Sequence, residues 1–183
     1  FDMRRTVDVP VALPPGDELH YPLTSTGMQQ AWALGEQLQH DPVLAVVSSP
    51  RLRCVQTADA IAFASGTTIE IAKALADVDF GEPKVGPAPT TYLATMQTLS
   101  RWIQGDPDAH TPGGESLTEV LDRFFPAVQE IVDRYASQPG ELVFVSHSTV
   151  LSAALPFFFT NLSLGWALTT MLPAAGIATG EFI

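Results

Sequence analysis

Residues 142–148, Leu142-Val143-Phe144-Val145-Ser146-His147-Ser148, decide the fold class of this chain. Four apolar residues in a row, including β-branched and aromatic side chains, predict a buried strand of a parallel sheet. The run ends in small and polar residues that include a histidine, and residues 149–155 are predicted to be helical. A side chain at the carboxyl end of a strand, just before a helix, lies where open α/β sheets bind ligands. A capping turn with an incidental histidine is the alternative interpretation.

A second predicted strand, residues 43–47, ends in a similar way and favours the ligand-binding interpretation. It leads into Ser48-Ser49-Pro50 and then into a helix that carries Arg51 and Arg53. The guanidinium of Arg53 is a fixed fork that suits a phosphate or a carboxylate. The start of the helix adds free N–H groups and a favourable dipole for an anion. Arg51 is interpreted as a surface arginine.

The rest of the chain continues the alternation of strands and helices. Pro22-Leu23-Thr24 predicts a helix start capped by Thr24 or Ser25. The remaining expectations are an extended arm at residues 1–21, a strand at 69–71, loops at 82–91 and 105–114, helices at 92–103 and 116–135, and a last strand at 177–183. This order predicts an α/β three-layer sandwich, with a mostly parallel central sheet and helices on both faces. The length of 183 residues, 46% of them hydrophobic, predicts that residues 1–183 form a single domain.

The charge balance restricts the partners. The formal net charge is −11, from 9 Lys and Arg against 20 Asp and Glu, which argues against nucleic acid and an anionic membrane as partners. A small anionic substrate remains compatible, because a few arginines at one site override the net charge locally. The single cysteine, Cys54, excludes an intrachain disulfide and a cysteine-based metal cluster, and the four histidines show no metal-binding spacing. No cofactor or metal is therefore expected, and a homodimer is left open.

Several other residues are candidates for chemistry. Asp77 and Asp79 follow a short apolar run and could donate or accept a proton, although solvated turn carboxylates are the commoner explanation. His147 could bind an anion when protonated, since an unperturbed imidazole titrates near ~6.5. Glu115, in Pro112-Gly113-Gly114-Glu115-Ser116-Leu117, is either functional or a first-turn helix carboxylate.

Together these stretches resemble the histidine phosphatase, or phosphoglycerate-mutase-like, superfamily. Five segments resemble its motifs, in its order and across nearly the whole chain. They are Pro22-Leu23-Thr24-Ser25-Thr26-Gly27 (PLTxxG), Ser48-Ser49-Pro50-Arg51-Leu52-Arg53-Cys54-Val55-Gln56-Thr57-Ala58 (SSPLxRAxQTA), Leu75-Ala76-Asp77 with Phe80-Gly81 (LxE/D…FG), Gly113-Gly114-Glu115-Ser116-Leu117 (GGESL) and Val145-Ser146-His147-Ser148 (VSHG). Any one of these motifs alone would be weak, but the set is specific.

The resemblance implies a function and a set of roles. It implies a metal-independent phosphomonoester hydrolase that works on a small phosphorylated substrate through a phosphohistidine intermediate. Arg53 would be a phosphate clamp, His147 the second active-site histidine and Asp77 the proton donor to the leaving group. Ser146 and Glu115 are added as substrate-binding residues. Arg53, Asp77 and His147 are therefore expected to converge at the carboxyl edge of the sheet.

The chain also departs from the family pattern. The family's opening strand, with an Arg-His-Gly or Arg-His-Ala motif that carries the nucleophilic histidine, is absent, and His20 does not replace it. That strand lies in the middle of the family's sheet, so we infer that the intact protein has it and that the printed sequence begins after it. Residues 1–183 alone are expected to be inactive. Ser148 replaces the usual glycine, and Pro83 falls in the substrate loop.

Three alternatives to the hydrolase are weighed. A catalytically inactive pseudophosphatase that binds a phosphorylated ligand or partner gains weight from the absent nucleophile and from Ser148. Phosphoglycerate mutase activity is less favoured, because Lys84 and Arg101 are the only basic residues between 82 and 114. A serine hydrolase is disfavoured further, because no GxSxG motif is present.

Overall fold

The computed structural model describes residues 21–81 and 88–171. The described residues fall into two compact units. The first unit holds residues 21–76 and 128–147, and the second holds 77–127 and 148–171. The expected N-terminal arm, the expected last strand at 177–183 and the departure at Pro83 lie outside the described residues. The expectation of a single domain stays a prediction.

A parallel three-stranded sheet forms the centre of the first unit. Its strands are β1 (Val43–Ser48), β2 (Ile69–Ile71) and β3 (Glu141–Val145), in the order β2-β1-β3. All pairings are parallel. Helices α1 (Ser25–Leu38) and α2 (Leu52–Ser65) belong to the same unit. The predicted α/β class with a parallel sheet is confirmed.

Strand β1 is buried and β3 is not, which corrects one expectation. The last four residues of β1 are buried, whereas β3 is exposed at its first residue and only partly buried in the other four. Within the described residues, β1 pairs on both sides, while β3 pairs only with β1. The apolar run therefore predicts the strand correctly but overestimates its burial.

Helices α1 and α2 pack closely on each other, and this packing holds α2 in place. Thr24 caps α1, because its Oγ1 accepts the Gly27 N–H at 3.1 Å. At Gly35 an added Cβ would lie 2.8 Å from the carbonyl oxygen of Ala60 on α2, so only a glycine fits without movement. The core of the unit is a cluster of buried apolar side chains, Val46, Ala58, Ile61 and Ala62, on which Leu34, Leu38, Val43, Ile69, Val143 and Val145 pack.

The other helices are α3 (Ala88–Ile103), α4 (Leu117–Tyr135) and α5 (Ser148–Phe158). A short helical turn at Lys73–Leu75 precedes α3, and two more, at Leu164–Trp166 and Ala167–Met171, come after α5. Helix α3 begins four residues earlier than the predicted start at residue 92. Pro89 lies in its first turn, where the missing N–H of proline costs nothing, so the proline that suggested a loop is compatible with the helix. In the part of the chain that the structure describes, no helix is long and apolar enough to cross a bilayer.

The end of α5 departs from its expected orientation. The apolar run of residues 151–159 predicts a core-facing segment, but Phe157, Phe158 and Phe159 are 56%, 47% and 51% exposed. Phe158 packs against Phe125 of α4 with ring centroids 4.7 Å apart. An apolar run at a helix end does not reveal which face is covered, and here the Phe157 and Phe158 rings pack on aromatic rings of α4 while about half of their surface stays exposed.

Candidate functional site

The carboxyl ends of β1 and β3 lie side by side and bring Arg53 to His147. Ser48 is opposite Val145 in the register, and the Ser49 N–H donates to the Val145 carbonyl at 2.9 Å. His147 follows β3 by two residues, and Arg53 lies in the first turn of α2. The Arg53 Nη2 and His147 Nδ1 atoms are 2.9 Å apart. Two of the three residues expected to converge at this edge are therefore in direct contact.

The contacts of His147 fix its tautomer and its orientation. An arginine can only donate, so Nδ1 must accept from Arg53 and the ring proton resides on Nε2. Nε2 lies 2.8 Å from the Ser49 Oγ, to which it donates. The histidine is 95% buried, since its relative exposure is 5%. A buried ring held at both nitrogens is a pre-organised hydrogen-bonding group rather than a mobile surface side chain.

Cys54 and Ser146 are further neighbours of the histidine. The Cys54 Sγ lies 3.5 Å from His147 Nε2 and donates to the Ser146 carbonyl at 3.4 Å. The hydroxyl of Ser146 donates to the Leu75 carbonyl at 2.8 Å. This bond ties the segment after β3 to the residues just before Asp77. The predicted substrate-binding role of Ser146 stays a prediction.

The start of α2 supplies further positive potential at this edge. The helix is 14 residues long, and Arg51 is its N-cap without a side-chain capping bond. Its first N–H groups and its dipole therefore favour an anion. A proline just before an apolar helical stretch suits the first helical turn, but Pro50 lies one residue before the cap. Because Arg53 is the second residue of the helix, its guanidinium and the helix N-terminus act at the same place.

The acidic candidates Asp77, Asp79 and Glu115 belong to the second unit. Asp77 Oδ1 accepts the N–H of Val78 at 3.0 Å. Glu115 is ion-paired with Arg123, with 2.6 Å between Glu115 Oε1 and Arg123 Nε. Glu115 Oε2 also accepts the Asp79 N–H at 2.8 Å. The expected placement of Asp77 beside Arg53 and His147 stays a prediction, as does the substrate-binding role of Glu115.

Three residues with direct contacts at these sites were missed by the sequence reasoning. Ser49 and Cys54 touch the histidine ring, and Arg123 holds Glu115. Ser49 and Cys54 both lie within the Ser48–Ala58 motif, and Ser49, a polar residue directly after β1, was an available signal. Arg123 lies eight residues after Glu115, and nothing in the helical period of α4 marks it. Among the described residues, no group of three or more His, Cys, Asp or Glu side chains is arranged to hold a metal ion.

Comparison with known proteins places these features in a family. The sequence profile of the histidine phosphatase superfamily (branch 1) matches residues 16–178. A curated relative, the probable phosphoglycerate mutase GpmB of Salmonella choleraesuis (strain SC-B67), is 29% identical over 130 residues. This match covers 71% of the chain and 60% of the relative, so the chain spans less than two thirds of that protein's length.

Solved structures share the fold. A mycobacterial glucosyl-3-phosphoglycerate phosphatase superposes with a TM-score of 0.67 and 23% identity, covering 84% of this chain and 74% of that one. YhfR of Bacillus stearothermophilus superposes with a TM-score of 0.65 and 25% identity, covering 81% and 72%. These likenesses confirm the phosphoglycerate-mutase-like α/β fold expected from the motifs.

Proposed function

The chain belongs to the histidine phosphatase superfamily, and we propose that it is a metal-independent phosphomonoester hydrolase that works through a phosphohistidine intermediate. The observation that carries the proposal is the contact of Arg53 Nη2 with His147 Nδ1 at 2.9 Å. This contact lies where two paired parallel strands end and α2 begins. Donors and positive charge gathered at such an edge suit a phosphoryl group.

In this proposal Arg53, His147 and the first N–H groups of α2 hold the oxygens of the transferred phosphoryl group. The guanidinium of Arg53 presents its N–H donors in a fixed fork, and its Nη2 contacts His147 Nδ1. The Nε2–H of His147 donates to a serine hydroxyl here, and a charged phosphoryl oxygen is a stronger acceptor than that hydroxyl. These cationic and N–H donors stabilise the negative charge that a metal ion would otherwise neutralise.

The proposed reaction has two steps. The proposed nucleophile is a histidine in an Arg-His-Gly or Arg-His-Ala motif, as the family resemblance implies. Its nitrogen forms a bond to phosphorus while the ester P–O bond breaks, and the leaving oxygen takes a proton from Asp77. Water then attacks the phosphorus and gives a proton to the Asp77 carboxylate, the P–N bond breaks and inorganic phosphate is released. Ser146 and Glu115 are proposed to support substrate binding, and the contact of Glu115 with Arg123 suggests that it does so indirectly.

The test is the release of p-nitrophenol from p-nitrophenyl phosphate by the full-length gene product and its variants. Removing a preorganised donor costs about 10²–10³ in kcat, so we expect a loss of that order for His147→Ala and Arg53→Ala. The matched controls are His40→Ala, at an exposed position just after α1, and Arg101→Ala, in an exposed ion pair with Asp106. Equal effects in the variants and the controls would refute the site.

Phosphoglycerate mutase activity is the second candidate, because the curated Salmonella relative carries that name. A mutase returns the phosphoryl group to a second hydroxyl, whereas a hydrolase gives it to water. Interconversion of 2- and 3-phosphoglycerate that outpaces phosphate release would favour the mutase. Binding of vanadate without turnover of any phosphomonoester would favour the pseudophosphatase.

A further inference from the structure

The segment that carries Asp77 is held against the 111–116 segment through hydrogen bonds made by its own main chain. The Glu115 N–H donates to the Asp79 carbonyl at 2.6 Å, and the Asp79 N–H donates to the Glu115 carboxylate at 2.8 Å. The Thr111 hydroxyl donates to the Phe80 carbonyl. Gly81 has a φ of +63°, and a Cβ there would lie 2.4 Å from both the Gly114 nitrogen and the Pro112 carbonyl. The two segments therefore lie backbone to backbone.

Arg123 joins both segments through a single guanidinium. Its Nε donates to Glu115 Oε1 at 2.6 Å and its Nη2 donates to Glu115 Oε2 at 2.9 Å. The same Nη2 donates to the main-chain carbonyl of Asp77 at 3.1 Å. The side chains of Arg123 and Glu115 are 23% and 24% exposed, so the pair is mostly shielded from water. An ion pair in this setting is screened less than a surface pair.

We propose that Arg123 is a positioning residue that fixes the main chain of Asp77, so that its carboxyl group is aimed at the leaving-group oxygen. This inference rests on the proposed function, in which Asp77 donates that proton. A carboxyl group that a single methylene separates from a fixed Cα explores few positions, and general acid catalysis depends on a correctly placed donor. Arg123 does not donate to the phosphoryl group in this scheme. Its removal therefore alters proton delivery and leaves substrate affinity nearly unchanged.

The planar fork explains why an arginine is required at this position. Two nitrogens bind the two oxygens of Glu115 side by side, and one of them also reaches the carbonyl of Asp77. A lysine ammonium is a point charge on a flexible stem and cannot reproduce this bidentate geometry. Arg123→Lys keeps the positive charge, but it is expected to lose the alignment of the Asp77 main chain.

The experiment compares substrates that differ in their need for an acid. An alkyl phosphate has a poor leaving group that must be protonated as the P–O bond breaks, whereas p-nitrophenolate leaves readily without a proton. For Arg123→Ala we expect kcat on the alkyl phosphate to fall by about 10²-fold, within the range that general acids contribute. The kcat on p-nitrophenyl phosphate should fall far less, and KM for both substrates should stay near the wild-type value. Arg123→Lys should show the same selectivity with a smaller loss.

The controls separate positioning from general destabilisation. Arg101→Ala removes an arginine that is ion-paired with Asp106 in the same unit. It should leave kcat unchanged on both the alkyl phosphate and p-nitrophenyl phosphate. Asp77→Asn should show the same leaving-group selectivity, and adding Arg123→Ala to it should cause little further loss, because both act through one proton transfer. If Arg123→Ala folds poorly, Arg123→Lys gives the same comparison, with thermal unfolding measured on both variants.

The outcomes distinguish this inference from the proposed function. Equal losses on both substrates, or no loss on either, would overturn the role of Arg123 while leaving the roles of Arg53 and His147 standing. If the full-length gene product hydrolyses neither substrate, or if His147→Ala changes nothing, the proposed function itself fails, and the inference fails with it.

Discussion

Gly35→Ala should destabilise the protein, although alanine is normally the better helix former. Gly35 lies in α1, on the face of that helix that packs directly on α2. The added Cβ would meet the Ala60 carbonyl oxygen at 2.8 Å and the Ala64 Cβ at 3.1 Å. The carbonyl belongs to the main chain of a second helix, so it cannot move aside as a flexible side chain would. The two helices would have to separate.

The expected size follows from two opposing terms. Replacing glycine by alanine inside a helix gains about 0.8–1 kcal/mol. Overpacking a tight contact costs about 1–3 kcal/mol, so the packing cost outweighs the gain and we expect a net loss on the order of 1 kcal/mol. Because α2 carries Arg53, we also expect weaker phosphate binding whenever the helix shifts.

The matched control is Gly27→Ala in the first turn of the same helix. There the nearest atoms to a new Cβ are the Leu23 Cδ2 at 3.2 Å, the Leu23 Cβ at 3.4 Å and the Thr24 Oγ1 at 3.5 Å, all on side chains. We expect Gly27→Ala to leave the free energy of unfolding unchanged or to raise it slightly. Urea denaturation followed by circular dichroism measures both variants against the wild type. The reasoning is refuted if Gly35→Ala is as stable as the wild type, or if both variants change by the same amount.

Four further predictions concern the start of α4, the effect of metal removal and the activity of the 183-residue chain. The Ser116 N–H and the Ser116 hydroxyl hydrogen-bond with the carboxylate and the N–H of Glu119 in a capping box, so Ser116→Ala should cost about 1 kcal/mol in urea denaturation. The Ser116 N–H lowers the pKa of Glu119, so Glu119 stabilises the fold above its unfolded pKa and loses that effect as pH falls through the lower folded pKa. Glu119→Gln should therefore be less stable than the wild type at pH 7, and the difference should vanish in acid; a pH-independent difference contradicts this. Phosphatase activity of the full-length gene product should survive excess EDTA, and loss restored by a divalent ion would exclude the proposed mechanism. The 183-residue chain should bind vanadate weakly and release no phosphate from an aryl phosphate, unlike a version extended by an Arg-His-Gly strand; equal activity in both would place the nucleophile within residues 1–183.

Local signals in the sequence predicted most of the elements around the site. The short strand at 69–71 is confirmed at both ends, and Thr24 caps α1 as one of the two expected residues. Strand and cap signals depend on neighbouring residues, so a single sequence contains them. The contact of Arg53 with His147 followed from one further rule, that parallel strands present their carboxyl ends at the same edge.

The remainder depends on contacts that no local pattern encodes. Arg123 reaches a carbonyl 46 residues away, and the helical period of α4 contains no sign of that partner. The half-exposed ring of Phe158 packs on Phe125, which an apolar run at the end of α5 cannot reveal. Proline in a first helical turn and proline in a loop are indistinguishable by composition, so the start of α3 was placed too late.

The register between β1 and β3 determines whether the candidate site exists. Val43 is opposite Glu141 and Ala45 is opposite Leu142, so Leu44 is an extra residue that forms a bulge in β1. The bulge is supported by the Thr67 hydroxyl, which donates to the Leu44 carbonyl at 3.0 Å. Without the extra residue the strand ends would be offset by one position, or about 3.3 Å along the strand.

That offset is larger than the tolerance of a hydrogen bond. The Arg53–His147 contact joins residues 94 positions apart at 2.9 Å, and the Ser49–His147 contact is 2.8 Å long. Hydrogen bonds weaken steeply beyond about 3.2 Å, so a displacement of one residue would break both contacts unless the side chains changed rotamer. The bulge at the start of β1 therefore aligns the histidine with the arginine at the other end of the strand. A feature of the main chain far from the site thus sets the geometry on which phosphate binding is proposed to depend.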